Sequence, residues 1–101
     1  MSSTTAKTIT LALTTSDEAV NLTNDNILLY DVNIHVYGAD VYYGDGYHTA
    51  QVAQSSATPT CSIIRANAVV WFQNLLLKEL FFKSYVNATP GYVVITGVIK
   101  D

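Results

Sequence analysis

The fold of this chain is decided by the stretch Leu28-Leu-Tyr-Asp-Val-Asn-Ile-His-Val-Tyr37. Successive side chains of an extended strand point to opposite faces, so alternation with a period of two marks a strand that lies over a core. One predicted face is mostly apolar and holds Leu28, Tyr30, Val32, Ile34 and Val36. The other predicted face is mostly polar and holds Leu29, Asp31, Asn33, His35 and Tyr37. The stretch therefore predicts one long strand, and with it a β-rich protein.

The length and composition indicate a single domain with an unusual surface. The chain has 101 residues, of which 50% are hydrophobic and only 13% are charged. The charged share is about half of that in an ordinary soluble domain. So little charge favours burial of some apolar surface against other copies or other proteins.

Several classes of function are disfavoured by the sequence. The five cations are scattered along the chain, so the sequence shows no basic patch of the kind that binds nucleic acid. The single cysteine, Cys61, excludes an internal disulfide framework. No apolar run is long enough to cross a membrane, and the start of the chain lacks a secretory signal. We expect the protein to be made in a cytosol and to stay there unless it leaves as part of an assembly.

Turn residues divide the rest of the chain into short strands. Residues 1 to 6 are small and polar and predict a flexible N-terminal arm, so that residues 7 to 101 form one domain. Outside the opening stretch, the first predicted strand begins at Lys7. Further strands are predicted at Val20 to Leu22, Val41 to Tyr43, Cys61 to Arg65 and Tyr92 to Ile99. Residues 47 to 60 are predicted to be irregular. Both faces of the last strand are apolar, which suggests that it is covered on two sides.

Residues 68 to 85 allow two interpretations. Asn67 could cap a helix through this segment, but the polar residues would then scatter around the helix and leave no apolar stripe. Two strands, 68 to 73 and 78 to 86, with a break near Asn74, fit the β-branched and aromatic content better. The count becomes seven or eight strands with regularly spaced turns, which predicts an all-β antiparallel sandwich of the jelly-roll type.

No constellation in the sequence predicts catalysis, a metal or a cofactor. His35 and His48 lack the close spacing of metal ligands. Asp40 and Asp45 stand among glycines, where turn formation explains them better than calcium binding. Cys61 has no neighbouring base that would lower the pKa of its thiol.

The aromatic residues point to contact with a partner. Tyrosine combines a rigid apolar ring with a hydrogen-bonding tip, which suits protein interfaces and sugar stacking alike. The candidate interface residues are Tyr37, Tyr42, Tyr43, Tyr47 and Trp71. The alternative is that the tyrosines only fill a strand face and its rim.

The order of these pieces resembles small bacteriophage virion proteins, namely capsid decoration and head-fibre proteins. The matching residues are Thr8-Ile-Thr-Leu-Ala-Leu13, Val41-Tyr-Tyr-Gly-Asp45, Trp71-Phe72, Leu77-Lys-Glu-Leu-Phe-Phe-Lys83 and Gly91-Tyr-Val-Val-Ile-Thr96. Such proteins often place Pro-Gly where Ala66-Asn67 stands here. The resemblance implies a β-sandwich that forms homo-oligomers, often trimers, on a virion surface, with a major capsid or other virion protein as partner.

Three hypotheses follow for the function. The first is a non-enzymatic structural subunit of a phage virion, with no nucleic-acid or membrane partner and no cofactor. The second is a carbohydrate-binding or receptor-binding module, with Tyr42, Tyr43 and Tyr47 as stacking platforms and Asp40 or Asp45 as acceptors for sugar hydroxyls. The third is a small enzyme or cupin-like barrel.

Overall fold

A computed structural model describes residues 4–14 and 17–100. In this part of the chain, eight strands, one short α-helix and one 3-10 helix follow one another. The strands are β1 (Thr4–Ala12), β2 (Val20–Asn21), β3 (Leu28–Tyr37), β4 (Val41–Gly44), β5 (Ser62–Ile64), β6 (Val69–Leu76), β7 (Phe81–Ser84) and β8 (Tyr92–Lys100). The helix α1 spans Gly46–Gln51, and the 3-10 helix spans Leu77–Glu79.

The strands form two antiparallel sheets that pack face to face. The large sheet has the order β1-β8-β3-β6, and the small sheet has the order β2-β7-β4-β5. Strand β1 pairs with β8, β2 with β7, β3 with β6 and β4 with β5, as if one long hairpin had been rolled up. Eight strands wound in this way make a jelly roll. The predicted all-β sandwich is therefore confirmed.

The core lies between the sheets and is almost entirely aliphatic. Strand β3 contributes Val32, Ile34 and Val36, which are fully buried, and Phe82 on β7 packs against them from the small sheet. Cross-strand pairs such as Ile34 with Ile95 keep the apolar residues of neighbouring strands on the same face. The sandwich is held together by removal of this apolar surface from water.

A β-bulge at Asp31 divides the long strand into two parts with opposite phase. Between Tyr30 and Asn33 the pairing with β8 shifts, and Asp31 adopts a left-handed φ of 51°. Asp tolerates this conformation better than most residues. As a result Leu29 is buried while Leu28 is 41% exposed. The predicted faces are thus correct from Val32 onwards and reversed before the bulge.

Gly97 on β8 accommodates this bulge. A Cβ atom at Gly97 would lie 3.1 Å from the Cβ of Leu29 and 3.1 Å from the carbonyl oxygen of Tyr30. These contacts are tighter than ordinary packing allows. A glycine in the interior of a strand here marks a close approach of two backbones.

The segment 68 to 85 forms strands, as predicted, but it breaks later than expected. Strand β6 continues through Asn74 to Leu76, and the 3-10 helix Leu77–Glu79 then leads to β7. Asn67 does not cap a helix. It has a φ of 65° and donates its backbone N–H to the carbonyl of Val36 at 2.7 Å, so it belongs to the turn before β6.

Helix α1 corrects the prediction that residues 47 to 60 are irregular. The Asp45 carboxylate accepts a hydrogen bond from the backbone N–H of His48 at 2.8 Å and so caps the first turn. Six residues are too few to show a helical period in the sequence. The helix is stabilised by its contacts with β4 and β7.

The chain ends of the domain also differ from expectation. Strand β1 begins at Thr4, three residues before the predicted boundary, because Thr4 to Ala6 pair with the end of β8. Residues 1 to 3 of the predicted arm lie outside the described residues. Strand β8 is covered on one side only, since Val93 and Ile95 are buried while Tyr92 is 45% exposed.

Candidate interaction surface

The side of the large sheet that faces away from the core carries, beyond the Asp31 bulge, three cross-strand rows that are here called the outer face. The strand register places residues side by side in each row. The first row is Ala12, Tyr92 and Tyr37; the second is Thr10, Val94, His35 and Val69; the third is Thr8, Thr96, Asn33 and Trp71. Every member is exposed or half-buried.

The outer face carries no aspartate, glutamate, lysine or arginine in these rows, and six of the eleven residues are alanine, valine, tyrosine or tryptophan. Trp71 is 58% exposed and Val69 is 50% exposed. The buried centres of protein interfaces are depleted of charged residues and enriched in aromatic ones. The outer face has the composition of such a centre.

Two tyrosines stiffen one end of the outer face. The rings of Tyr37 and Tyr92 stack with centroids 5.1 Å apart and an angle of 17° between their planes. The Tyr37 hydroxyl and the His35 Nδ1 lie 3.1 Å apart and share a hydrogen bond. A pair held in this way presents its rings with little freedom left to lose on binding.

The outer side of the small sheet, by contrast, is covered by the chain itself. Tyr42 has no exposed area; its hydroxyl donates to the carbonyl of Ala53 at 3.2 Å and accepts from the N–H of Ser56 at 3.0 Å. Burial raises the pKa of Tyr42. This corrects the prediction for Tyr42, because a side chain enclosed by its own chain cannot contact a partner.

Lys83 lies beside Tyr42 in the same covered layer. Its ammonium donates to the carbonyl of Val52 at 2.7 Å and to that of Ala50 at 3.3 Å, and it lies 3.0 Å from the Asp17 carboxylate. Only 3% of the side chain is exposed. A lysine buried so deeply needs all of these acceptors. It ties the end of α1 to β7.

The remaining predicted residues are spread over other parts of the surface. Tyr43 is half-buried and meets Phe72 edge to face at 6.3 Å, in the wall of a pocket. Tyr47, on α1, is 71% exposed and packs against His48. Of the five predicted interface residues, only Tyr37 and Trp71 lie together on the outer face.

The pocket beside Tyr43 has a volume of about 430 Å³ and opens between the edge strands β5 and β6. Asp45 and His48 lie at its rim, 2.8 Å apart, and the backbone N–H of His48 lowers the pKa of Asp45. Burial raises the pKa of Cys61 in the pocket wall, so the thiol stays protonated at neutral pH. A protonated thiol is a weak nucleophile.

Residues 4–14 and 17–100 contain neither a metal-binding cluster nor a membrane-spanning helix. No group of three or more His, Cys, Asp or Glu side chains in this range is arranged to hold a metal ion. Within the same residues, no helix has the length and apolar character needed to cross a membrane.

The sequence reasoning missed Tyr92, Val69 and Val94 as members of the outer face. Tyr92 was assigned to a covered face because both sides of its strand are apolar. The signals that could have found them are the register of β8 against β3, which sets Tyr92 beside Tyr37 and Val94 beside His35, and the register of β6 against β3, which sets Val69 beside His35. Both registers depend on pairing between strands that are distant in the chain.

Comparison with known proteins identifies the fold but no family. No protein-family model matches the chain, and no curated protein matches it. Hydroxypropylphosphonic acid epoxidase from S. wedmorenis in complex with fosfomycin aligns with a TM-score of 0.52 and 6% identity, over 91% of this chain and 42% of the epoxidase chain. A second structure of that enzyme aligns with a TM-score of 0.52 and 7% identity, over 93% of this chain and 42% of the other.

The chain thus spans 42% of the length of the epoxidase chains that it matches. At such low identity the likeness shows only a shared fold. A Bacillus endospore appendage that forms disulfide-linked pili aligns with a TM-score of 0.47 and 13% identity, over 96% of this chain and 86% of the other. This alignment is too distant to support an inference.

Proposed function

We propose that the protein is a non-enzymatic structural subunit that joins a larger assembly through the outer face of its large sheet. The observation that carries the proposal is the bare, uncharged outer face, which holds Trp71, Val69 and Tyr92. A small β-sandwich gains nothing in stability from leaving these groups in water. Covering them with another protein removes apolar area from solvent, which is the main driving force of association.

The covered outer side of the small sheet supports the same interpretation. The opposite sheet uses α1 and residues 52 to 56 to cover its outer side, so the chain is able to cover a sheet where no partner is required. A specific contact commonly buries on the order of 1,000 Å² or more.

More specifically, we propose that the assembly is a phage particle, on which this chain is an accessory subunit. This part rests on the sequence resemblance to decoration and head-fibre proteins, together with the low charge of the chain. The resemblance implies that the protein is made in the host cytoplasm and is located on the virion. A homo-oligomer and a virion shell protein are the implied partners.

The proposal contains no catalytic step. The ionisable groups at the pocket are engaged in structure, since Asp45 caps α1 and also contacts the ring of His48. The Cys61 thiol has a raised pKa, which is unfavourable for nucleophilic chemistry. The pocket therefore gives weak support to the enzyme hypothesis.

Co-sedimentation with purified particles tests the proposal. The particles are those released by cells that encode the protein, stripped of the native subunit. The test variant is Thr96→Lys, which places a charge at the centre of the outer face on an internal strand, and its matched control is Thr89→Lys in an exposed turn. We expect the wild type and the control to bind and the test variant to lose at least about tenfold in affinity.

Equal binding by both lysine variants would overturn the role of the outer face. The phage assignment has a separate test, which is mass spectrometry of purified virions. Absence of the chain from virions would overturn that assignment while leaving the assembly role open to the co-sedimentation result.

Sugar binding remains the second candidate because of one specific feature. Trp71 has the amide side chain of Asn33 beside it in the same row, and Gln73 follows two residues later on β6. An exposed ring beside hydrogen-bonding amides can stack on a sugar and bind its hydroxyls. A glycan array with wild type and Trp71→Ala tests this, and binding that disappears in the variant would favour the second candidate.

A further inference from the structure

The four sheet edges of the sandwich differ sharply in how they are protected from pairing with another chain. An exposed edge strand offers unpaired N–H and C=O groups, and proteins guard such edges with short strands, charges, prolines or bulges. In the small sheet, the edges are the two residues of β2 and the three residues of β5. Both are too short to pair extensively.

The large sheet has two long edges, of which one is guarded. Strand β1 has nine residues and carries Lys7 near its middle, on the same side of the strand as Ile9 and Leu11. An inward-pointing charge on an edge strand opposes continuation of the sheet. Strand β6 has eight residues, Val69–Leu76, and contains no charge, proline or glycine. Its side-chain pattern changes phase at Gln73 and Asn74, where the pairing with β3 skips Asp31, so Val69 to Phe72 form the regular, unguarded part of this edge.

The backbone of β6 presents free hydrogen-bonding groups at its most exposed residues. The N–H of Val36 donates to the carbonyl of Ala68 at 3.2 Å, and the carbonyl of Val36 accepts from the N–H of Asn67 at 2.7 Å, so Val36 directs both backbone groups toward the chain that leads into β6. Hydrogen-bonded pairs alternate along an antiparallel ladder with pairs that are not hydrogen-bonded, which makes Ile34–Val70 the next hydrogen-bonded pair and places His35–Val69 and Asn33–Trp71 among the others. Val69 and Trp71 belong to the second kind, and their N–H and C=O groups therefore point away from β3.

Trp71 thus combines an exposed ring with free backbone groups at the same position of the same edge. From this we infer that β6 pairs antiparallel with β6 of a second copy of the chain, about a two-fold axis at Trp71. Each Trp71 then exchanges both backbone hydrogen bonds with Trp71 of the other copy, and the two rings lie side by side. The inference rests on the proposed function, since it names the sibling contact of the assembling subunit.

A second copy is the partner that suits this edge best. The segment is uncharged, so two copies meet without repulsion, and most dimers of identical chains use such a self-complementary contact. A two-fold axis perpendicular to the sheet points both outer faces in the same direction. The pair therefore forms one continuous eight-stranded surface for a shell protein. It also differs from the trimer that the sequence resemblance implied.

Sedimentation velocity over a range of concentrations is the first test. Wild type is expected to move between monomer and dimer and to stop there. A monomer at the highest soluble concentration would overturn the inference, and so would a trimer or continued growth into longer species. Because Trp71 is the only tryptophan in the chain, exciton coupling between indoles in circular dichroism is expected only where two copies meet.

Charge substitutions at the symmetry axis give the sharper test. Trp71→Lys places like charges opposite each other and is expected to weaken the dimer by at least about tenfold. Thr8→Lys is the matched control, because Thr8 stands at the other end of the same row, on β1. This control is expected to leave the dimer unchanged, whereas loss of association in both variants would indicate pairing of β6 with β1 and overturn the inference.

A mixture of two oppositely charged variants tests whether the dimer can be restored. Trp71→Glu alone is expected to be monomeric, but an equal mixture of Trp71→Lys and Trp71→Glu is expected to recover the dimer, since opposite charges then face each other at the axis. A mixture that stays monomeric while both variants keep wild-type melting behaviour would contradict a two-fold axis at Trp71. Dimer loss without loss of particle binding would leave the proposed function intact.

Discussion

The two sheets of this sandwich treat their outer sides in opposite ways. On the small sheet, Tyr42 and Lys83 lie beneath α1 and the residues that follow it, and their polar atoms are paired with backbone groups. On the large sheet, Trp71 and Tyr92 are exposed, and the described chain places nothing over them. One side is thus completed within the molecule, whereas the other has the character of a contact surface.

The difference teaches that exposure of apolar groups here is selective. If this chain exposed apolar groups indiscriminately, such groups would be exposed on the outer sides of both sheets. Instead the covered side holds a buried lysine with several acceptors, a costly arrangement that only a fixed cover can stabilise. Substitutions on the covered side should therefore change the free energy of unfolding, while those on the outer face should change association.

The largest effect is expected at Lys83. Lys83→Met removes an ammonium that donates to two carbonyls and contacts Asp17, which should lower the free energy of unfolding by about 2–3 kcal/mol. Urea unfolding followed by circular dichroism measures it. The control is Lys78→Met on the 3-10 helix, expected to change stability by less than about 0.5 kcal/mol. Equal losses in the two variants would contradict the importance of the cover.

A smaller loss is expected at Tyr42. Tyr42→Phe keeps the ring but removes a hydroxyl that makes two hydrogen bonds, to Ala53 and from Ser56. We expect a loss of about 1–2 kcal/mol in thermal unfolding, because two partly buried backbone groups lose their partner. The matched control is Tyr47→Phe, whose ring is exposed on α1. A neutral result for Tyr42→Phe would show that water replaces the hydroxyl.

Acid should lower the free energy of unfolding through protonation of Asp40. The backbone N–H of Ala66 and the Arg65 guanidinium, each at 2.8 Å, lower the pKa of Asp40 from its ordinary value. A carboxyl with a lowered folded-state pKa stabilises the fold above its unfolded-state pKa, and this contribution disappears as the pH falls through the folded value. It amounts to at most about 1 kcal/mol, because the pair is partly exposed.

Unfolding of wild type and Asp40→Asn at several pH values tests this expectation. The stability difference should be full at neutral pH and shrink as the pH falls below about 4. Asp25→Asn in an exposed turn serves as the control and should show no such trend. A difference between wild type and Asp40→Asn that stays constant with pH would contradict it.

The smallest effect on stability is expected at the centre of the outer face. Thr96 is exposed, so Thr96→Lys should change the free energy of unfolding by less than about 0.5 kcal/mol. The same variant is expected to lose binding to particles. A large loss of stability would mean that the outer face contributes to the fold itself, which would weaken the contrast between the two sides.

Much of the architecture was predictable because it depends on local pattern. The period of two in β3 and the turn residues after it predicted the strands and the sandwich, whereas the interface roles of Tyr37 and Trp71 stay predictions. The helix α1 was missed because its six residues are held by a cap and by packing rather than by an apolar period. Tyr42 was misjudged because its hydroxyl is paired with Ala53 and Ser56, which lie 11 and 14 residues further along the chain.

The sequence by itself determined the class of the fold, since alternation of apolar residues and the positions of turns are properties of neighbouring residues. Tertiary structure alone decided which faces are covered and which edge is free. The bulge at Asp31 reverses the faces of the first three residues of β3 only because β8, with Gly97, lies beside it. Tyr92 and Tyr37 meet through pairing of strands 55 residues apart in the chain, and such long-range pairing leaves no local trace.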